Sequence, residues 1–229
     1  MNETVSYQVE DGVALVALSN GKVNAISPDV IAGLLDALER SEQDGTVVIL
    51  TGAPGIFSAG FDLKVMRSGP EAAIKLVSDG FKLLRRMLVH PTPIIIANPG
   101  HAMAMGAIVL LAGDFRLGTE GPFSIALNEV QIGMTMPYAG IELARNLLTH
   151  AAHQRAINNA EVFSPQAAKE AGFLDQIVAA DALLPTAKAL AERMKTLNMA
   201  AHKATKLRVR QHLLETLDKA IAQDLICGI

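Results

Sequence analysis

Short apolar runs alternate with polar stretches along the first half of the chain and predict buried strands. Val, Ile and Leu dominate these runs, as in strands that are covered on both faces. The predicted strands cover residues 13–18, 47–50, 94–97, 115–117 and, as an edge strand, 174–178. Tyr7 and Val9 alternate with polar residues before the turn signal Asp11-Gly12, which predicts a hairpin with the first of these strands.

Apolar residues spaced three and four positions apart predict amphipathic helices. The first begins at Ser27-Pro28-Asp29, where a capping hydroxyl, a proline and an acid stand in the order typical of a helix start. Its apolar face is formed by Ile31, Leu34, Leu35 and Leu38. Further helices are predicted over residues 74–88, 104–111, 138–148, 150–158, 164–171, 181–197 and 201–221. Strands alternate with helices early and helices dominate late, which indicates a mixed α/β core with a helical C-terminal part.

Residues 87–113 contain no Asp, Glu, Lys or Arg, which raises the question of a membrane span. Pro91, Pro93 and Pro99 interrupt the segment, so its apolar pieces are too short to cross about 30 Å of hydrocarbon. The N-terminus lacks the order of basic, apolar and small residues that is typical of a signal peptide. We therefore expect a cytoplasmic protein with no membrane partner.

Composition narrows the function classes further. The chain has 229 residues and a formal net charge of −3, which excludes the broad basic surface of a general nucleic-acid binder. Its single cysteine, Cys227, excludes an internal disulfide framework. The six histidines lack metal-ligand spacing and are predicted mostly at surfaces or turns, so no metal site is expected.

Two glycine-containing segments are predicted as strand-to-helix loops, at residues 55–62 and 100–106. Loops of small residues expose backbone N–H groups, and two such loops that converge form an oxyanion hole for a carbonyl that gains negative charge. The alternative is a pair of tight turns without chemistry. Spacing alone favours that alternative.

Glu129 is the only acid between Glu120 and Glu142, and its neighbours are apolar or neutral. Partial removal from water would raise the pKa of its carboxyl and strengthen the carboxylate as a base. A surface acid on an irregular loop is the alternative.

Four segments, in this order and spacing, resemble the crotonase (enoyl-CoA hydratase/isomerase) superfamily. They are Lys22-Val23-Asn24-Ala25-Ile26-Ser27, GIFSAGFDL at 55–63, GHAMAMGAIVLLAGDFRL at 100–117 and LNEVQIGMTMP at 127–137. The resemblance runs from about residue 13 to about residue 178, and more weakly beyond. It implies an α/β fold, a spiral of ββα units with a helical C-terminal trimerisation region. The core would span residues 1–195, and the oligomerisation segment, shorter than usual, residues 196–229.

The resemblance also implies a coenzyme A thioester as substrate, with no separate cofactor because coenzyme A is part of the substrate. It places the two oxyanion-hole N–H groups at Ala59 and Met105. Met105 stands where the family usually has Gly, and we expect its side chain to narrow the pocket. The substrate-binding residues that it implies are Lys22, Val23, Ala25, Gly60, Phe61, Asp62, Leu63, Gly106, Ile108 and Asn128. Among them, Phe61–Leu63 match the segment whose backbone meets the adenine end of coenzyme A. Lys22 matches a position near the coenzyme A phosphates, and a lysine exposed to solvent on a loop is an equal expectation for it.

Within this superfamily the sequence favours an isomerase. Hydratases use two glutamates, and Ile108 stands in the place of one while Glu129 matches the other. A single carboxylate does not divide the acid and base roles of hydration in the usual way, but it can move a proton along one face of a substrate. Asn128 before the glutamate also matches the Δ3,Δ2-enoyl-CoA isomerase branch, where hydratases tend to carry Pro. The alternatives are a hydratase, thioesterase or decarboxylase, or a non-catalytic protein that binds coenzyme A.

The remaining expectations concern assembly and the surroundings of the site. The resemblance implies a homotrimer or a dimer of trimers, and a chain that ends before a further helix that commonly closes the acyl pocket. Four methionines flank the site as candidates for an acyl pocket or for core filling: Met103, Met105, Met134 and Met136. Four basic residues on the last predicted helix are interpreted as a solvated face, with coenzyme A phosphates as the alternative: Lys203, Lys206, Arg208 and Arg210.

Overall fold

The computed structural model describes residues 4–227 and has the mixed α/β architecture expected from the sequence. Its strands are β1 (Val5–Glu10), β2 (Val13–Leu18), β3 (Val47–Thr51), β4 (Gly55–Ser58), β5 (Ile94–Asn98), β6 (Gly100–Met103), β7 (Phe115–Thr119), β8 (Ile125–Ala126) and β9 (Gln176–Val178). Its α-helices are α1 (Pro28–Asp44), α2 (Leu63–Met66), α3 (Pro70–Leu88), α4 (Met105–Leu110), α5 (Tyr138–Leu147), α6 (His150–Asn159), α7 (Pro165–Ala171), α8 (Leu183–Lys195) and α9 (Met199–Cys227).

The larger sheet has six strands in the order β1-β2-β3-β5-β7-β9. Strands β1 and β2 form the predicted antiparallel hairpin, and every later neighbour pairs in parallel. Strands β3 and β5 are buried throughout because helices cover both faces of the sheet. The apolar runs therefore identified the central strands correctly, and β9 is the predicted edge strand.

A second, three-stranded sheet joins β4, β6 and β8, and the sequence did not reveal it. The segments predicted as loops at 55–62 and 100–106 begin as its two parallel strands, with Gly55 opposite Gly100. Their backbones touch so closely that a Cβ at Gly100 would lie 2.1 Å from the Gly55 oxygen. Gly55 and Gly100 are thus needed for contact between two strands, although glycine in these segments predicts a loop.

Helix α1 begins as predicted, with the Ser27 hydroxyl accepting a hydrogen bond from the Val30 N–H at 3.3 Å. The main core lies between one face of the larger sheet and helices α1, α3, α4, α5 and α9. A smaller core lies between the opposite face and α8. The predicted fold class, with ββα units and a C-terminal helix, is confirmed.

Two of the histidines predicted at the surface are buried. His90 is fully buried, with its ring nitrogens 3.3 Å from the Ser41 hydroxyl and 3.3 Å from the Arg86 guanidinium. Burial lowers the pKa of His90 to about 3, so its ring is neutral. His153 is buried as well. Within residues 4–227, no cluster of acids, histidines or cysteines is arranged to hold a metal ion, and no helix is both long and apolar enough to cross a bilayer.

Helix α9 does not present all of its basic residues to water, so that prediction is wrong in part. Lys203 and Arg208 are exposed, but Lys206 and Arg210 turn inward toward Asp114. The Lys206 ammonium lies 2.6 Å and the Arg210 guanidinium 2.9 Å from the carboxylate, which also accepts the Ile94 N–H. Burial lowers the pKa of Lys206, and the negative charge of Asp114 opposes this decrease. Each buried charge is therefore stabilised by its partner.

A second acid fastens α9 to α5. The Asp224 carboxylate accepts the N–H groups of Tyr138 at 2.8 Å and Ala139 at 3.0 Å, the first two residues after Pro137. It therefore satisfies donors that the start of a helix leaves unpaired. Burial raises the pKa of Asp224, and these two hydrogen bonds oppose the increase.

Replacing Asp114 with Ala should lower the free energy of unfolding by about 3–5 kcal/mol, because Lys206 would remain buried without its counter-charge. Asp218→Ala is the matched control, since it removes a pair with Arg85 in which both side chains are at least 40% exposed. That loss should stay below about 1 kcal/mol. Urea unfolding measures both values, and equal losses would contradict the structural role given to Asp114.

Candidate active site

A cavity of about 160 Å³ lies between α3, the start of α4 and the segment that follows β8. Among residues 4–227, only Asn128 and Glu129 bring polar side chains to it. Its other lining residues are Ala59, Phe61, Leu63, Met66, Val77, Phe81, Ala104, Ile108, Ile132, Met134 and Pro137. Concave apolar sites with a few convergent polar groups are the usual form of a small-molecule site.

Glu129 is the only ionisable side chain among the described residues that line this cavity. Its side chain is 6% exposed, and its Oε2 atom has no hydrogen-bond partner within residues 4–227. Burial raises the pKa of the carboxyl to about 7, although a hydrogen bond from its own backbone N–H opposes the increase. The alternative of a surface acid is therefore wrong, and the carboxyl can gain or lose a proton near neutral pH.

The backbone around Glu129 forms a tight turn that fixes the position of its side chain. The Glu129 carbonyl accepts the N–H groups of Ile132 at 3.1 Å and Met134 at 2.9 Å, and Gly133 adopts a left-handed conformation. The neighbouring Asn128 is also directed inward, and its Oδ1 atom is buried without a partner among the described residues. Two polar side chains in succession thus keep free oxygen atoms in an apolar setting.

The two glycine segments converge beside the cavity, as their sequences suggested they could. A Cβ at Gly60 would lie 2.9 Å from the Ala104 Cβ and 3.3 Å from the Met105 backbone nitrogen. A Cβ at Gly106 would lie 2.3 Å from the Ser58 oxygen. Only glycine allows this approach at both positions, which brings the backbone after β4 against the start of α4.

The structure contradicts Ala59 as an available oxyanion-hole donor. Its N–H donates to the Val23 carbonyl at 3.0 Å, so this hydrogen is already used within the protein. The N–H that the sequence indicated is therefore not a free donor. Which N–H groups remain free depends on how the segment pairs with residues 23–26.

Phe61, two positions further on, has the free N–H in this segment. The flanking groups pair with Ile26, whose N–H donates to the Gly60 carbonyl and whose carbonyl accepts the Asp62 N–H. Because extended backbone alternates its direction, the Phe61 N–H points away from Ile26. It has no hydrogen-bond partner within the described part of the chain.

Met105 begins α4, and its N–H is likewise unpaired among residues 4–227. The expectation that its side chain narrows the pocket is wrong. That side chain is 1% exposed and is directed toward α3, and Ala104 lines the cavity in its place. Ala104 has φ +47° and ψ −126°, a conformation that side chains rarely adopt and that costs on the order of 1–3 kcal/mol.

The other predicted binding residues divide into two groups. Phe61, Leu63, Ile108 and Asn128 line the cavity, whereas Lys22, Val23, Ala25, Gly60, Asp62 and Gly106 are absent from its lining. Several residues of the second group form hydrogen bonds within the protein instead. Asp62 caps α2 through the Lys64 N–H at 2.8 Å, and the Ala25 carbonyl accepts the Asn20 side-chain amide at 2.7 Å.

Sequence reasoning missed much of the apolar wall. Of the four methionines, Met134 alone lines the cavity; Met66 does so too, although it was not a candidate. Val77 and Phe81 belong to the helix predicted over residues 74–88, and Ile132 and Pro137 to the LNEVQIGMTMP motif. Periodicity identified these positions as apolar, but it could not separate residues that face the cavity from residues that face the core.

The profile of the enoyl-CoA hydratase/isomerase family matches residues 8–226. The chain belongs to this family, which confirms the resemblance that the four motifs indicated.

Relatives carry both activities in their names. Human mitochondrial enoyl-CoA delta isomerase 1 is 29% identical over 87% of this chain and 68% of its own. The crotonyl-CoA hydratase of Syntrophomonas wolfei is 24% identical over 96% of this chain and 86% of its own. A solved enoyl-CoA hydratase/isomerase family protein from Pseudomonas syringae is 57% identical, with a TM-score of 0.98 over 100% of this chain and 99% of its own.

Glu129→Gln should stabilise the protein at pH 8 but not at pH 4. The pKa of Glu129 is about 4.5 in the unfolded chain and about 7 in the folded protein, so the carboxyl is protonated in both states below pH 4.5. Between pH 4.5 and about 7 only the folded protein keeps this proton. The free energy of unfolding of the wild type therefore falls as pH rises through this range. The difference between variant and wild type should reach on the order of 2–3 kcal/mol above pH 7.

Urea unfolding across this pH range tests the expectation. Glu142→Gln is the control, because it removes an acid that pairs with Arg145 outside the cavity. A stability difference for Glu129→Gln that does not change with pH would contradict the assigned burial.

Proposed function

We propose that the protein is a Δ3,Δ2-enoyl-CoA isomerase in which Glu129 is the single acid and base. The observation that carries the proposal is the composition of the cavity: one buried carboxyl with a pKa near 7 and no other ionisable side chain among its described lining residues. A group with this pKa can both remove and return a proton at neutral pH.

The proposed reaction moves one proton along one face of the substrate. The Glu129 carboxylate removes a proton from C2 of a 3-enoyl thioester, and the electron pair passes to the thioester oxygen as a dienolate. The resulting carboxylic acid returns the proton at C4, the electrons collapse to a C2–C3 double bond, and the carboxylate is regenerated. The atoms balance without water or an added cofactor.

The thioester oxygen gains negative charge in this reaction and needs hydrogen-bond donors. We assign the donors to the N–H groups of Phe61 and Met105, replacing Ala59. Both N–H groups are unpaired within residues 4–227, and the two segments that carry them are in contact through Gly60 and Ala104. Backbone donors held in this way need little reorganisation as charge develops.

Ile108 supports isomerisation over hydration. Hydration adds water across the double bond and benefits from a second carboxylate to position it. Ile108 lines the cavity with an apolar side chain that is 1% exposed and offers no hydrogen bond to water. Hydratase activity is the alternative to be measured in parallel, because relatives of both kinds exist.

Several further expectations stay predictions. They are the contacts of Lys22, Val23 and Ala25 with coenzyme A, the adenine contacts of Phe61–Leu63, and the substrate-binding roles of Gly60 and Gly106. The homotrimer or dimer of trimers, the division into residues 1–195 and 196–229, and a cytoplasmic location also stay predictions.

Purified protein should convert 3-enoyl-CoA to 2-enoyl-CoA, and Glu129→Gln should lower kcat by about 10²- to 10⁴-fold because the proton carrier is lost. The wild-type kcat/KM should rise with pH and level off above about pH 7. Hydration of 2-enoyl-CoA, followed in the same samples, should be much slower than isomerisation. Unchanged isomerisation in the variant would rule out the proposed role of Glu129.

The cavity volume predicts short acyl chains. A buried apolar cavity of about 150 Å³ accommodates a molecule of six carbons, and this cavity measures about 160 Å³. The kcat/KM for hex-3-enoyl-CoA should therefore exceed that for dodec-3-enoyl-CoA by about tenfold or more. Met66→Ala, which enlarges the cavity, should reduce this ratio. A wild-type preference for the longer chain would contradict the volume argument.

A further inference from the structure

The side chains of Phe61 and Met105 meet at one point on α3, although the two residues come from different segments of the chain. That point is Gly80. A Cβ at Gly80 would lie 2.6 Å from both Cε1 and Cζ of the Phe61 ring and 3.1 Å from Cε of Met105. A side chain at this position would therefore force the Phe61 ring to move.

Glycine at position 80 is unfavourable for the stability of helix α3. It lies in the interior of a helix of 19 residues and is buried. Glycine there costs about 1 kcal/mol relative to alanine. Its backbone does not adopt a left-handed conformation, so no turn requires it. The feature that explains glycine is the space taken by the Phe61 ring and the Met105 methyl group.

Helix α3 is also a wall of the cavity, through Val77 and Phe81 on either side of Gly80. The ring of Phe61 is held between the cavity and this helix, and the Met105 side chain is buried in the core beside it. One position on α3 thus adjoins the side chains of both residues whose N–H groups are assigned above to the thioester oxygen.

We propose that Gly80 is a positioning residue for the oxyanion hole. By leaving space on α3, it sets where Phe61 and Met105 lie relative to each other and so sets the spacing of their N–H groups. This inference rests on the proposed function, because it assumes that these two groups bind the thioester oxygen. It also gives a reason why methionine is accommodated at position 105.

Gly80→Ala should lower kcat for 3-enoyl-CoA by about tenfold or more while KM changes by less than about threefold. The added methyl group displaces the Phe61 ring, and displacement of a catalytic group by about 1 Å can cost about 10²-fold in rate. The direct measurement is the infrared carbonyl stretch of bound hexanoyl-CoA labelled with ¹³C at C1, a thioester that cannot isomerise. Wild type should shift this band to lower frequency, and Gly80→Ala should move it back toward the value in water.

Gly140→Ala is the matched control. Gly140 is a buried glycine within α5, and the three atoms nearest to a Cβ there belong to Met136 (the sulfur, at 2.8 Å), Ile108 and Phe81 rather than to Phe61 or Met105. This variant should keep the carbonyl shift. Gly80→Ala combined with Phe61→Leu should restore much of kcat and of the shift, because leucine retains the N–H and removes the ring carbons that collide.

Phe61→Ala covers the case in which Gly80→Ala does not fold. It keeps the backbone N–H at position 61 but removes the ring that packs against Gly80. It should therefore reduce kcat and the carbonyl shift, as Gly80→Ala does. A wild-type carbonyl shift that persists in both Gly80→Ala and Phe61→Ala would overturn the positioning role while leaving the isomerase proposal intact. A wild-type protein with neither isomerase activity nor a carbonyl shift would overturn the proposed function itself.

Discussion

Direct contact between two backbones is the constraint on which the site depends. Strands β4 and β6 meet where Gly100 presses against Gly55, and the same contact continues through Gly60 and Gly106 to the start of α4. A methyl group at these positions would separate the two segments. With the segments apart, the backbone around Phe61 would no longer contact the start of α4, and the cavity would lose one wall. The smaller sheet therefore serves to bring two peptides together.

Glu129 faces this pair of segments from a part of the chain that pairs with the same sheet. Strand β8 joins β6, and the turn that follows it carries the carboxyl into the apolar cavity. The burial that raises the pKa of Glu129 does so because it makes the charged form of the carboxyl costly. The buried charges at Asp114, Lys206 and Arg210 are paired with one another, whereas no cationic side chain stands beside Glu129 among the described lining residues of the cavity.

Local pattern in the sequence identified most of the larger sheet and most helices. Runs such as residues 47–50 and 94–97 are continuous because both faces of these strands are covered, and periodicity located α3 and α5. Strands β4, β6 and β8 escaped detection because they are short and because glycine, which usually interrupts strands, is here required between them. Pairing between distant segments leaves no local signal.

The same limit explains the errors in the site. Ala59 and Phe61 look equivalent as donors until the pairing with Val23 and Ile26 is known, because that pairing uses one N–H and leaves the other free. Lys206 looked solvated because its partner, Asp114, lies 92 positions earlier in the chain. The apolar surroundings of Glu129 were predicted correctly, since an isolated acid among apolar neighbours is visible in the sequence itself.

The attachment of α9 has a consequence for how the protein is made. Asp224 satisfies the first N–H groups of α5, and Lys206 with Arg210 neutralises Asp114. These residues leave the ribosome after the elements that they hold in place. Until α9 has been synthesised, the first N–H groups of α5, next to Pro137 in the cavity wall, lack the Asp224 carboxylate as acceptor. Asp114 likewise lacks Lys206 and Arg210. We therefore expect the larger sheet to form before α9 has emerged, and the start of α5 to be held in place only once α9 has docked.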